Sequence, residues 1–363
     1  MRITIDASPL LLRSAGVKNY LWHWLRALRR IGGSAAIRAY PFLNTVGALD
    51  HERSVLSRFA TAPRIAALFA TNWGGGLVLD ALCQGADIFH ASNQVRVAPR
   101  YAKATATIHD LTCWLMPELH TEANVRADRE FADRVLKRAA GLIAVSENTR
   151  QDAIRILGIA PERIQAIHSG VDERYFNALP AKRDRPYFLF VGTIEPRKNI
   201  DALLDAWEGL SPGIRDEFDL LIAGPAGWRS ERTIARLRSG VKSVRYLGYV
   251  AEAELPSLTA GATAVAYVSL YEGFGFPAAQ AMAAGVPVIA SNTSCLPEIV
   301  GEGGLFVDPK SESEIRAALS TLALSPSVRA RAAKAGRERA AACFRWEACA
   351  KKSLEFFKHV LGT

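Results

Sequence analysis

Residues 263–285 read TAVAYVSLYEGFGFPAAQAMAAG, and their order decides the fold. The apolar run 263–268 reads as a buried strand, and Ala278–Ala284 reads as a helix closed by Gly285. Between them lie Ser269, Leu270, Tyr271, Glu272, Gly273, Phe274, Gly275 and Phe276, with Pro277 suited to the first helical turn. Two glycines ahead of a helix start leave backbone N–H groups uncovered, so a phosphate fits there. Glu272 suits that picture only if its carboxylate turns to neutral hydroxyls, which suggests a sugar beyond the phosphate. The competing reading is a turn whose glycines serve packing alone.

A second strand, 187–192, opens onto Gly192, Thr193, Ile194, Glu195, Pro196, Arg197, Lys198 and Asn199. Asn199 is expected to cap a helix from Ile200. Arg197 and Lys198 offer a forked donor and a point charge to a diphosphate. The chain has no D-x-D pair and no P-loop, so no metal is called for on the phosphates. A nicotinamide enzyme is the rival, because Gly273, Gly275 and Ala278 spell G-x-G-x-x-A. It lacks the acid that should end the next strand, 286–290, where Ser291 and Asn292 stand instead.

Outward from these two stretches, short aliphatic runs alternate with helical patterns along the chain, which predicts parallel sheets built from strand-helix-strand units. One set of strands is expected at 2–6, 37–42, 87–90, 104–108, 141–145 and 164–168. A second is expected at 187–192, 219–223, 244–247, 263–268, 286–290 and 304–307. Asp172–Pro186 has a linker's composition and is read as the hinge. The expected division is a first domain at 1–178, a second at 179–345, and a helix at 346–363 packing back toward the first. Asn72–Gly76 and Thr112–Thr121 are expected to be loops that leave the first domain's strand ends. His109 ends the strand 104–108 and is a candidate for polar contact with a substrate, although His90 and His168 also end strands.

With 363 residues, 49% of them hydrophobic, the chain suits two cores, and disorder is excluded. No apolar run reaches the ~18 residues of a membrane span, and no signal peptide is visible, so a cytoplasmic protein is expected. Five scattered cysteines suggest neither disulfides nor structural zinc. The net charge is +9. Between Asp6 and Asp50 there is no acid, yet Arg13, Lys18, Arg26, Arg29, Arg30 and Arg38 fall there, so a local positive field is expected. The helix read at Val17–Ile31 buries Tyr20, Leu21, Trp24, Leu25, Leu28 and Ile31 and leaves Trp22, Arg26, Arg29 and Arg30 outside. Such a face suits an anionic membrane; an ordinary solvated face is the competing reading. No nucleic-acid motif is present, and no nucleic-acid partner is expected.

Taken together, the ordered motifs resemble the retaining glycosyltransferases of family 4, whose GT-B architecture sets two Rossmann-like doubly wound α/β domains with parallel sheets across a cleft. They are Gly16, Val17 and Tyr20; Ile108 to Leu111 (IHDL); Val145 to Thr149 (VSENT); Ser169 to Asp172 (SGVD); Val191 to Asn199 (VGTIEPRKN); Leu247 to Val250 (LGYV); and Glu272 to Gly285. The resemblance implies catalytic roles for His109, Glu272, Arg197 and Lys198. It implies donor contacts from Gly16, Gly192, Thr193, Val250, Gly273, Phe274, Gly275, Phe276 and Gln280. Arg197 and Lys198 would neutralise the leaving diphosphate in place of a metal, so no cofactor is expected. His109 and Glu272 would position the sugar, and Val250 would offer main chain to the base. Gln280 stands where the family's second glutamate is expected, and offers hydrogen bonds without charge.

The implied reaction moves a hexose from a nucleotide sugar to a glycan or lipid-linked acceptor with retention. The motif versions resemble bacterial mannosyltransferases of surface polysaccharide synthesis, which points to GDP-mannose and to a protein peripheral at the inner face of the plasma membrane. The alternatives are a silent nucleotide-sugar-binding protein and an epimerase or phosphorylase of the same architecture.

Overall fold

The computed structural model describes residues 1–14, 16–43 and 45–362. The chain divides into two compact units, Met1–Gly170 with Trp346–Thr363, and Val171–Arg345. Each is an α/β unit around its own parallel sheet.

In the first unit the strands are β1 (Ile3–Asp6), β2 (Ile37–Tyr40), β3 (Ile88–Ala91), β4 (Lys103–Ile108), β5 (Gly141–Ala144) and β6 (Ile164–Ala166). Their spatial order is β2-β1-β3-β4-β5-β6. The second unit holds β7 (Tyr187–Val191), β8 (Asp219–Ala223), β9 (Val244–Gly248), β10 (Ala264–Tyr267), β11 (Val288–Ser291) and β12 (Gly304–Val307), in the order β12-β11-β10-β7-β8-β9. Every pairing is parallel. Strands β1, β8 and β10 are buried along their whole length, as parallel strands covered on both faces are. The chain order reverses between β1 and β3 in one sheet, and between β7 and β10 in the other. At such a switch point the loops leaving neighbouring strands diverge and open a crevice beyond their carboxyl ends. The stretches after β7 and β10 are therefore neighbours.

The first helix, α1 (Gly16–Gly32), buries Tyr20, Leu21, Trp24, Leu25 and Leu28. Ile31, expected on that stripe, lies at the helix end and is exposed. The C-terminal helix Trp346–Leu361 packs on α1: Trp24 Nε1 donates to Ser353 Oγ at 3.0 Å, and the Trp24 and Phe357 rings lie 6.1 Å apart. Gly170 permits this seat, since a Cβ there would come within 2.5 Å of the Trp346 ring and backbone.

Several expectations change. Asp172–Pro186 is no free hinge but part of the second unit: Tyr175 and Phe176 are buried, Val171 N donates to Phe344 O, and Ala181 N donates to Ser257 O. The division falls at Gly170/Val171, where Val171 begins to pair with Arg345. Asn72–Gly76 and Thr112–Thr121 are not plain loops. The first spans the end of α2 (Arg58–Gly74) and the start of α3 (Gly76–Leu82), and Thr112–Leu115 is a helical turn. The positive field around α1 is partly offset, because folding brings Glu52 to Arg13 and Glu347 to Arg30; Arg29 turns inward to donate to Ile37 O and Leu43 O. Among the described residues, no helix is long and apolar enough to cross a membrane.

Gly170→Ala should destabilise the first unit by about 1–3 kcal/mol through overpacking against Trp346, read as a lowered urea midpoint. An unchanged midpoint would mean that the last helix is not seated there.

Candidate functional site

The β7–β10 switch point gathers the charged residues of the second unit. Pro196–Lys198 forms a single 3-10 turn after β7, so consecutive side chains fan out from a tight backbone. The loop Val268–Gly275 follows β10, and Leu270 N donates to Arg197 O at 2.9 Å, tying the two together. Lys198 Nζ donates to Glu272 Oε1 at 2.6 Å and to Tyr267 Oη at 2.7 Å. Arg197 donates from Nη1 to Glu272 Oε2 at 2.9 Å and to Tyr271 O at 2.7 Å, and from Nη2 to Glu195 Oε1 at 2.6 Å. The Glu272 backbone N–H donates to Ser294 Oγ at 3.0 Å. Glu195, Lys198 and Glu272 are all buried.

A carboxylate this deep would ordinarily hold its proton. Burial pushes the Glu272 pKa up, but Arg197 and Lys198 outweigh that and hold it at about 2. The carboxylate lies between the two cations, because a buried charge needs a partner of opposite sign. Arg197 gives three of its five N–H donors to these acceptors, and Lys198 gives two of its three.

Four residues beyond Glu272, the helix Phe276–Ala283 begins, with Pro277 in its first turn. Gly275 precedes it at φ 80, a left-handed conformation that favours glycine, and a Cβ there would also meet Leu296 Cδ2 at 2.8 Å. Gly273 lies in this turn; Phe274 is buried, its ring 5.1 Å from Phe276 and 5.5 Å from Phe344. Gln280 is half-buried on the same helix, four residues past Phe276. Gly192 follows β7 and donates its N–H to Ala223 O, Thr193 comes next, and Val250 stands two residues beyond β9. Asn199 precedes its helix at φ 58 without the expected cap; its Nδ2 donates instead to Val268 O and Pro309 O, pinning the turn to the β10 loop. Sequence reasoning missed Tyr267, Ser294 and the part played by Glu195. Of these, only Glu195, in the same short motif, carried a signal of charge.

In the first unit a cavity of about 150 Å³ lies over the ends of β1, β3 and β4, lined among others by Asp6, Tyr20, His90, Asn93, His109 and Trp114. Gly16 starts α1, which carries Val17 and Tyr20 into this wall; the Tyr20 and His109 rings meet edge to face at 4.9 Å. His90 is held by Thr105 and Thr107 hydroxyls at 3.0 and 2.9 Å. Burial pushes His109 down to about 4 despite Asp110, and His90 down to about 3, so both rings are neutral at pH 7. Among the described residues, no three His, Cys, Asp or Glu side chains converge to hold a metal ion.

Both folded pKa values lie below the 6.5 of a free imidazole, so the unfolded chain binds protons first. Stability is full above pH 6.5 and falls as pH drops toward 4 and then 3, by up to about 1.4 kcal/mol per pH unit for each ring. Urea midpoints measured between pH 7.5 and 4.5 should show this decline, and His109→Gln should make it shallower.

Residues 171–339 match the family described as glycosyl transferases group 1, and residues 14–175 match glycosyltransferase family 4. Over 283 residues the chain is 33% identical to O-antigen chain mannosyltransferase B of Escherichia coli, an alignment covering 75% of this chain and 74% of that one. It is 29% identical over 237 residues to the MMP alpha-(1->4)-mannosyltransferase of Mycolicibacterium hassiacum, covering 64% of this chain and 57% of the relative. Among solved structures, sucrose-phosphate synthase from Thermosynechococcus elongatus superimposes with a TM-score of 0.76 at 20% identity, over 100% of this chain and 99% of that one. With two parallel six-stranded sheets and both halves matched, the chain belongs to the group 1 and family 4 glycosyltransferases and has their GT-B α/β fold.

Proposed function

We propose that this glycosyltransferase moves mannose from GDP-mannose to a hydroxyl of a growing surface polysaccharide, glycan or lipid-linked, with retention of anomeric configuration and without a metal ion. The observation that carries the reading is the buried Lys198–Glu272–Arg197 cluster just ahead of the helix Phe276–Ala283. The names of the mannosyltransferase relatives support the sugar.

In this reading the leaving diphosphate meets the remaining Lys198 donor and the uncovered N–H groups at the helix start, where Gly273, Phe274, Gly275 and Phe276 let it approach. Arg197 holds Glu272 in place and, beside Lys198, adds its positive charge to the side the diphosphate leaves from. Glu272 accepts from sugar hydroxyls, and in the first unit the neutral His109 imidazole is able to donate to or accept from a hydroxyl. Gly16, Gly192 and Thr193 offer backbone or small side chains to the phosphates, Gln280 a hydrogen bond to the ribose, and Val250 main chain to the base. As the diphosphate departs, positive charge builds at the anomeric carbon. The acceptor hydroxyl enters from the same face and gives its proton to the leaving phosphate oxygen. Peripheral contact with an anionic membrane would bring the enzyme to a lipid-linked acceptor.

Lys198→Ala should lower turnover by about 100-fold or more, the scale for one preorganised donor to developing charge, and equal turnover would remove the electrostatic account. A larger thermal shift with GDP than with UDP, ADP or dTDP tests the base. Activity that survives a chelator and an α-linked product by NMR test the metal-free, retaining course; a requirement for magnesium or an inverted product would overturn it.

A further inference from the structure

The face of α2 turned away from the core is apolar. Phe59, Phe69 and Trp73 are 94%, 70% and 96% exposed, and with the exposed Ala62, Pro63, Ala66 and Ala70 they recur at helical spacing along one side. From Phe59 to Trp73 this stripe runs about 21 Å at the helical rise. Leu77 on α3, 61% exposed, continues it. Phe42, half exposed, lies against α2, where Arg64 donates from Nη2 to Phe42 O at 3.0 Å. Tyr101, 85% exposed, flanks the far end, where Arg100 N donates to Asp80 Oδ1 of α3 at 2.9 Å. The surface is firmly mounted: Asn72 on α2 donates to Gln94 O and accepts from Arg96 N.

Exposing this much aromatic surface to water is unfavourable unless something covers it. The sequence between Glu52 and Asp80 contains Arg53, Arg58 and Arg64 and no acid or lysine, so the occupant should be both apolar and anionic. A second copy of this chain would bring like charges together. The small residues between the rings leave Phe59, Phe69 and Trp73 standing clear, which suits a fluid interface able to fill the gaps. We propose that α2, with Phe42, Leu77 and Tyr101 around it, is the surface by which this protein lies on an anionic lipid bilayer. The inference rests on the membrane contact proposed above and moves it from α1 to α2. On α1, Arg26 stacks over the Trp22 ring at 4.4 Å, Trp22 Nε1 donates to Gly47 O, and Arg30 is paired with Glu347.

The test is co-sedimentation with vesicles of phosphatidylethanolamine and phosphatidylglycerol, with phosphatidylcholine vesicles alongside. The intact protein should bind the anionic vesicles. The triple variant Phe59→Ser, Phe69→Ser, Trp73→Ser should bind at least about tenfold more weakly, with an unchanged Tm because the replaced rings touch little of the core. Arg26→Glu should bind as the intact protein does. Failure of the intact protein to bind either vesicle would overturn the membrane contact itself. Equal binding by the triple variant, or loss of binding in Arg26→Glu alone, would overturn the assignment to α2 while leaving membrane contact standing. A dimer seen by light scattering and dispersed by the triple variant, without vesicle binding, would make a second copy the occupant and also overturn the proposal.

Discussion

A carboxylate removed from water must find cations or give up its charge, and the second unit is organised around that constraint. Glu272 stays ionised because Lys198 and Arg197 reach it from the neighbouring strand end. That pairing requires β7 and β10 to be adjacent, which the reversal of strand order at that point supplies. It also requires both loops to hold still. The Asn199 amide bridging Val268 O and Pro309 O, and the Ser294 hydroxyl on the Glu272 N–H, do this with neutral hydrogen bonds. With Glu195 on Arg197, two cations meet two carboxylates, so the resting cluster is balanced.

The first unit treats its polar groups in the opposite way. Its cavity holds two imidazoles that burial keeps neutral even with Asp110 beside His109, set against threonine hydroxyls and a tyrosine ring. A neutral ring can donate at one nitrogen and accept at the other, which suits hydroxyl-rich ligands. Of the cations of α1, Arg30 is paired with Glu347, Lys18 and Arg29 donate to carbonyls, and Arg26 stacks on Trp22. The acid-free charge run around it therefore overstated the field at its surface, and the apolar face of α2 is the more unusual feature of this unit.

Much of the architecture was legible in the residues alone. All twelve strands stand within a few residues of the positions read from aliphatic runs, because a parallel strand buried on both faces must be continuously apolar and few other elements are so short and uniform. Pro277 and Gly275 likewise declared the start of their helix through backbone requirements that few other residues meet. The hinge was misread because composition reports polarity, whereas Tyr175 and Phe176, inside the polar segment, are what anchor it to the second unit.

Local chemistry, then, was set by the sequence: which loops carry cations, which turn exposes amide groups, and where strands and helices alternate, since each follows from the preferences of a few adjacent residues. Only the tertiary structure decided which charges meet. Glu272 lies 74 positions from Lys198, and Glu347 lies 317 from Arg30, and no pattern along the chain encodes those encounters. They arise from strand order and helix packing, which bring distant residues within hydrogen-bonding reach, where burial makes the pairing of charge obligatory.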